Sequence, residues 1–148
     1  MSPCTKPLPR AADVGNAPYW VAAREGKLKV QQCDACGRLR FPAASICPAC
    51  RAGGVHWQTI SGYGVVESFC RFHKAYWPGF ADELPYTVLQ VKLDEGVRVY
   101  SNPEREAEGR ARIGMRVRAV FVPVTPDVTL VKFREAVAPS RPQAPEAP

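Results

Sequence analysis

From Trp57 onward, apolar and polar positions alternate with the period of two that marks β-strands. The stretch "SGYGVVESFCRFH" (61–73) places Tyr63, Val65, Phe69 and Arg71 on one face and Val66, Ser68, Cys70 and Phe72 on the other. Gly62 and Gly64 lie near its start, where glycine permits the bulge or sharp coil that a small closed barrel needs. "YTVLQVKL" (86–93) predicts a second strand and "VRVYS" (97–101) a third, joined by "DEG" (94–96) as a glycine turn. "RVRAVFVPV" (116–124) and "VTLVKF" (128–133) predict the last two, linked through Pro123 and Pro126. The polar connection "REAEGRARIGM" (105–115) is expected to be partly helical. Five strands with no clear helix between most of them predict a five-stranded Greek-key barrel of the OB type.

Upstream the pattern changes. "APYWVAAREGKL" (17–28) predicts a short helix, with Asn16 as cap, Pro18 in the first turn, Gly26 as stop, and Tyr19, Trp20 and Ala23 on one face. "KLKVQQC" (27–33) then leads as a strand into a cysteine motif. The expected fold is mainly β: an N-terminal helix, a rubredoxin-like zinc ribbon, then an OB barrel. The expected boundaries are a flexible arm at 1–16, helix and ribbon at 17–56, barrel at 57–136 and a disordered Pro-rich tail at 137–148.

The cysteine motif is "CDACGRLRFPAASICPAC" (33–50). Tetrahedral zinc takes four soft ligands about 2.3 Å from the metal. One Cys-x-x-Cys turn supplies two sulfurs and a second closes the set, so Cys33, Cys36, Cys47 and Cys50 are the expected ligands. Gly37 lets the first knuckle fold back, and Pro48 stiffens the second. An iron–sulfur centre or a pair of redox dithiols remain alternatives on spacing alone. Four protein ligands leave no open position, which marks a structural site and not a catalytic one. Cys70, on the strand face with Val66 and Phe72, is expected to be a small core residue.

Composition narrows the partners. Hydrophobic residues are 46% of the chain, enough for a core, and the net charge of +6 favours an anionic partner: nucleic acid, a phosphorylated cofactor or an acidic protein. No apolar run approaches the ~20 residues of a membrane span, and the Pro-rich start lacks a signal-peptide core. The expectation is a cytoplasmic protein.

Taken together, "PYWVAAREGKLKVQQCDACGRLRFPAASICPAC", "SGYGVVESFCRFH", "PGFADELPYTVLQVKLDEGVR" and "IGMRVRAVF" resemble the zinc-ribbon/OB-fold acyl-CoA-associated proteins, once a domain-of-unknown-function family. The resemblance covers roughly residues 17–135. It implies a small accessory subunit of a thiolase-fold enzyme, a thiolase or a degradative retro-aldolase, with the catalytic residues in the larger chain. It implies structural Zn2+, a coenzyme A thioester as substrate of the complex, and a heterotetramer of two small and two large chains. Many relatives carry proline and arginine after "FP", where this chain has Ala43 and Ala44, so a basic contact at that spot is not carried over.

No catalytic set stands out. His56 and His73 are the two histidines, and no Ser/His/Asp order or phosphate loop is present. The segment "RFHKAYWPGF" (71–80) joins the first two barrel strands, where OB folds present binding loops. Its cations Arg71, His73 and Lys74 suit coenzyme A phosphates, and its aromatics Tyr76, Trp77 and Phe80 suit an acyl group or a partner surface. The same aromatics could instead simply cover the open end of the barrel. Arg38, Arg40 and Arg51 on the ribbon are candidate contacts for an acidic partner, whereas Arg110, Arg112, Arg116 and Arg118 read as a solvated strand face. The alternative function is a single-stranded nucleic-acid-binding module, since cations interleaved with aromatics also stack bases.

Overall fold

The computed structural model describes residues 6–105 and 108–136. Cys4 and the Pro-rich tail lie outside them.

Helix α1 (Ala17–Arg24) begins with Pro18 in its first turn, and the Asn16 side chain makes no capping bond. Gly26, at φ +71°, ends it. Lys27 N–H donates to Ala22 O at 2.9 Å and Gly26 N–H to Ala23 O at 3.1 Å, a Schellman closure that only a left-handed residue forms easily. Ala22 and Ala23 are buried beneath it.

Two sheets follow. β1 (Leu28–Cys33) lies between β2 (Leu39–Arg40) and β3 (Val55–Ile60), both antiparallel to it. β2 has only two residues, too short to show alternation, and β3, whose residues 57–60 open the alternating region, pairs with β1 along its whole length.

The second sheet contains β4 (Tyr63–Phe72), β5 (Tyr86–Leu93), β6 (Arg98–Ser101), β7 (Arg116–Pro123) and β8 (Thr129–Glu135), in the order β6-β5-β4-β7-β8. These are the five strands that the alternation predicts. The sheet curls into an OB half-barrel because the chain leaving β6 reaches β8: Pro103 bridges Phe133 in parallel. Phe133 N–H donates to Asn102 O at 3.0 Å, and Glu104 N–H to Phe133 O at 2.8 Å. Gly64 enables the curl, since a Cβ there would meet Lys92 O at 2.5 Å.

Val66, Leu89, Val91, Leu93, Val117 and Phe133 are fully buried inside the curl. Ala23, Leu28, Val30 and Ile60 from the helix and ribbon belong to the same apolar cluster. The ribbon and the half-barrel therefore share one core.

One feature of β4 corrects the sequence reading. Val66 pairs with Val91, but Ser68 pairs with Gln90, so Glu67 is an extra residue. Such a bulge inverts the facing of everything beyond it, because the side-chain period is two. Phe69 and Arg71 turn to the side of Leu89 and Thr87, while Cys70 and Phe72 turn outward with Val88 and Tyr86. Cys70 is thus exposed and is not a core residue.

Candidate functional site

The two knuckles are built alike. In the first, Gly37 N–H donates to Cys33 O at 2.9 Å and Cys33 N–H to Arg38 O at 3.0 Å. In the second, Arg51 N–H donates to Cys47 O at 2.9 Å and Cys47 N–H to Ala52 O at 2.9 Å. Gly37 has φ +69° and its counterpart Arg51 has φ +64°, so the same left-handed turn is made once by glycine and once by a residue that resists it.

This pairing brings the four sulfurs together, all within 4.8 Å of one another. Cys33 Sγ lies 3.5 Å from Cys50 Sγ, and Cys36 Sγ 3.7 Å from Cys47 Sγ. A tetrahedron with metal–sulfur bonds of about 2.3 Å has edges of about 3.8 Å, so the set fits a zinc-sized ion. Electrostatics agree. The backbone N–H groups of Cys36 and Ala35 lower the Cys33 pKa, and those of Cys50 and Ala49 hold Cys47 down to about 6. Cys50 accepts from Ala52 N–H, which favours its thiolate, yet its contact with Cys33, its burial and the other two sulfurs push it up to about 11. A divalent cation is what lets four such crowded thiolates ionise together. With four thiolates around the ion, no position is left for substrate.

Supporting contacts lock the ribbon. His56 Nδ1 lies 2.6 Å from Asp34 Oδ1 and Nε2 lies 3.0 Å from Gln32 Oε1, while Gln32 Nε2 donates to Gly37 O at 2.9 Å. This link ties β3 to the first knuckle. It rests on a strand register that no motif announces.

Arg40 departs from its expected role as a docking contact. It is only 7% exposed. Its Nε donates to Gln31 Oε1 at 2.7 Å and its Nη2 to Ala44 O at 2.7 Å, and Ala44 N–H donates to the same Gln31 oxygen at 2.9 Å. Arg40 sits opposite Gln31 in the β1–β2 pair, which directs both side chains to one face. The guanidinium pins the loop between the knuckles. Arg38, by contrast, is exposed.

The segment 71–80 ends in a short 3₁₀ turn, Pro78–Glu83, that the sequence pattern does not predict. Arg71, His73, Lys74, Tyr76 and Trp77 are exposed. Phe80 is half-buried, packed on Tyr86 at 5.5 Å between ring centroids. Tyr86 in turn stacks on Phe72 at 5.0 Å, and Tyr76 meets Phe72 edge-on at 6.2 Å. Lys74 Nζ lies over the Tyr76 ring at 5.7 Å, and Lys6, paired with Glu83, lies over Phe80 at 5.3 Å. Phe72 and Tyr86 join this cluster only through the bulged register.

A cleft of about 230 Å³ lies elsewhere, lined by Tyr19, Trp20, Phe41 and Trp57 with Arg10 and Asp13. Burial pushes the Tyr19 hydroxyl up to about 12, so it stays neutral there. Of the four arginines expected on one strand face, Arg116 and Arg118 lie on β7 and Arg110 and Arg112 in the connection before it; Arg116 is bidentate to Asp94 at 2.5 Å, and Arg112 pairs with Glu135. Arg98 holds Glu67 at 2.7 Å. No helix among the described residues is long and apolar enough to cross a membrane.

A family model described as the rubredoxin-like zinc ribbon domain of ChsH2 matches residues 20–56, and one described as the C-terminal OB-fold domain of ChsH2 matches 57–122. A probable enoyl-CoA hydratase alpha subunit of Thermomonospora curvata is 37% identical over 134 residues, covering 89% of this chain and 40% of its own length. A DUF35 domain-containing scaffold protein of Methanothermobacter thermautotrophicus is 35% identical over 91 residues, 61% of this chain and 68% of its own. A chain of the solved Ltp2-ChsH2(DUF35) aldolase superposes with a TM-score of 0.75 at 35% identity, covering 87% of this chain and 100% of the other. The chain therefore spans only part of the hydratase subunit but all of the aldolase chain that it matches.

Proposed function

Since this chain belongs to the DUF35 family of ChsH2-type zinc-ribbon and OB-fold proteins, we propose that it is a non-catalytic accessory subunit of a thiolase-fold enzyme acting on acyl-CoA thioesters. The observation that carries this reading is the match, over 87% of this chain and the whole of the other, to a chain of the solved Ltp2-ChsH2(DUF35) aldolase. The closed thiolate cluster agrees with it. Zinc held by Cys33, Cys36, Cys47 and Cys50 stabilises the ribbon and leaves chemistry to the partner. Arg71, His73 and Lys74 are the groups proposed to approach coenzyme A phosphates, with Tyr76, Trp77 and Phe80 beside the acyl chain or the partner. The assembly is proposed to be a heterotetramer of two small and two large chains.

The test is co-expression with a thiolase-fold protein, sought first among the neighbouring reading frames. Co-elution as a larger complex, and acyl-CoA turnover that collapses when the chains are separated, are the expected results. Full activity of either chain alone overturns the proposal.

Single-strand nucleic-acid binding is the second reading, favoured by the exposed ring of Trp77 and by Tyr76, over which Lys74 lies. It is the weaker one, because Arg98, Arg112 and Arg116 are engaged by carboxylates. A salt-dependent mobility shift with single-stranded DNA or RNA is its signature.

A further inference from the structure

We propose that the aromatic cleft at the first turn of α1 is a polyproline-binding site, filled by this chain's own residues 139–148. The inference does not rest on the accessory-subunit reading.

The cleft suits a segment that carries bare carbonyls. Tyr19, Trp20, Phe41 and Trp57 line it, all half-buried. Tyr19 meets Trp20 at an interplanar angle of 88° and Phe41 at 45°, so the rings wall the cleft instead of stacking face to face. These rings carry three donors: the Tyr19 hydroxyl and the Nε1–H groups of Trp20 and Trp57. Among the described residues none of the three has a hydrogen-bond partner. Tyr and Trp ordinarily find one when their rings are buried. A polyproline II helix makes no internal hydrogen bonds, so its carbonyls are all free to accept, and aromatic-lined grooves are its usual receptors.

The occupant is read from the sequence. Pro139, Pro142, Pro145 and Pro148 recur at every third residue. Polyproline II has three residues per turn, so this spacing sets all four rings along one side. The segment carries one cation, Arg141, and one anion, Glu146. The cleft is bordered by Asp13 and Arg10, whose side chains have no ionic partner among the described residues. Each charge of the segment thus meets an opposite one at the rim. Reach is sufficient. α1 packs on β8, and residues 137–148 follow the end of β8, where Ala136 N–H donates to Arg116 O at 2.9 Å. These twelve residues span about 37 Å as polyproline II. That is longer than β8, about 23 Å, and α1, about 12 Å, laid end to end. A tethered segment also meets its site at an effective concentration on the order of millimolar, which favours it over a free competitor.

Other occupants fit less well. At about 230 Å³ the cleft is smaller than the pockets that enclose a drug-sized ligand. Its one cation is balanced by a carboxylate, which gives a nucleic-acid backbone no purchase.

The test uses the zinc-loaded full-length chain and the indole N–H signals of its three tryptophans in nitrogen–proton NMR spectra, each assigned by a Trp→Phe variant. Pro139→Ala, Pro142→Ala, Pro145→Ala and Pro148→Ala together are expected to shift the Trp20 and Trp57 signals and leave that of Trp77, which lies outside the cleft, in place. A synthetic peptide of residues 137–148 should drive both signals of this variant back, and should bind the wild-type chain about ten-fold or more weakly because the cleft is filled. Wild type, which needs no variant to fold, should show nuclear Overhauser contacts from the four prolines to the Trp20 and Trp57 rings. Unmoved Trp20 and Trp57 signals in the proline variant, absence of those contacts, or equal affinity of the peptide for both chains each overturns the proposal. In an equal mixture of labelled and unlabelled wild type, contacts between the two kinds of chain would place the segment on a second copy and overturn it too. Signals that move only when the thiolase-fold subunit is added would give the cleft to that partner instead. None of these outcomes bears on the accessory-subunit reading, which stands or falls by co-elution and turnover.

Discussion

Phe72 and Tyr86 lie opposite each other across β4 and β5 with their rings stacked 5.0 Å apart. The bulge at Glu67 creates this relationship. Without it, Phe72 would face the core side and Cys70 would lie beneath the sheet. The position of Cys70 therefore reports the register directly.

Cys70 is expected to react with iodoacetamide in the native, zinc-loaded protein, with no loss of metal. Cys70→Ser should change stability by no more than about 0.5 kcal/mol, the range of ordinary surface substitutions. Peptide mass spectrometry and thermal melts check both. A protected Cys70 would return β4 to simple alternation.

Arg51 makes in the second knuckle the left-handed turn that Gly37 makes in the first. Arg51→Gly should raise stability by about 1 kcal/mol through relief of that conformation. Gly37→Ala should lower it by a similar amount. Denaturant melts of the two variants, each at full zinc content, should move in opposite directions.

Arg40 is an internal brace. Arg40→Ala should lower stability by about 1–3 kcal/mol, as buried hydrogen bonds to Gln31 and Ala44 are lost. Partner affinity measured well below the melting point should be unchanged. Arg38→Ala should leave the fold intact, since its side chain is exposed.

Zinc removal should unfold more than the ribbon. Ala23, Leu28, Val30 and Ile60 share a core with the half-barrel, so the loss of order should extend into the OB sheet. Cys47→Ser, or a strong chelator at neutral pH, should abolish stoichiometric zinc and shift the whole far-ultraviolet dichroism melt. Zinc content by atomic absorption, together with an unshifted barrel transition, would instead make the two units independent.

Acid should weaken the barrel surface. The hydrogen bond from Arg98 lowers the Glu67 pKa, and that from Arg116 lowers Asp94. A depressed native pKa gives stability that is present above the unfolded value, near 4, and is lost as pH falls below it. Stability measured from pH 6 to pH 3 should fall less steeply in a Glu67→Gln/Asp94→Asn double variant than in wild type.

The metal site was legible because its chemistry is local. Two Cys-x-x-Cys turns and their spacing specify four converging sulfurs whatever surrounds them. The five barrel strands were legible for the same reason: alternation from Tyr63 to Phe133 marks where each strand runs. Tertiary structure decided what spacing cannot encode. The bulge at Glu67 depends on how β5 registers against β4, and that one extra residue sent Cys70 outward and built the Phe72–Tyr86 stack. Arg40 looked like a surface cation and became a buried brace, because pairing with Gln31 turned it toward the loop it holds. Local sequence sets ligand spacing and strand period. Which face a side chain finally presents depends on cross-strand pairing, and that exists only once the chain has folded.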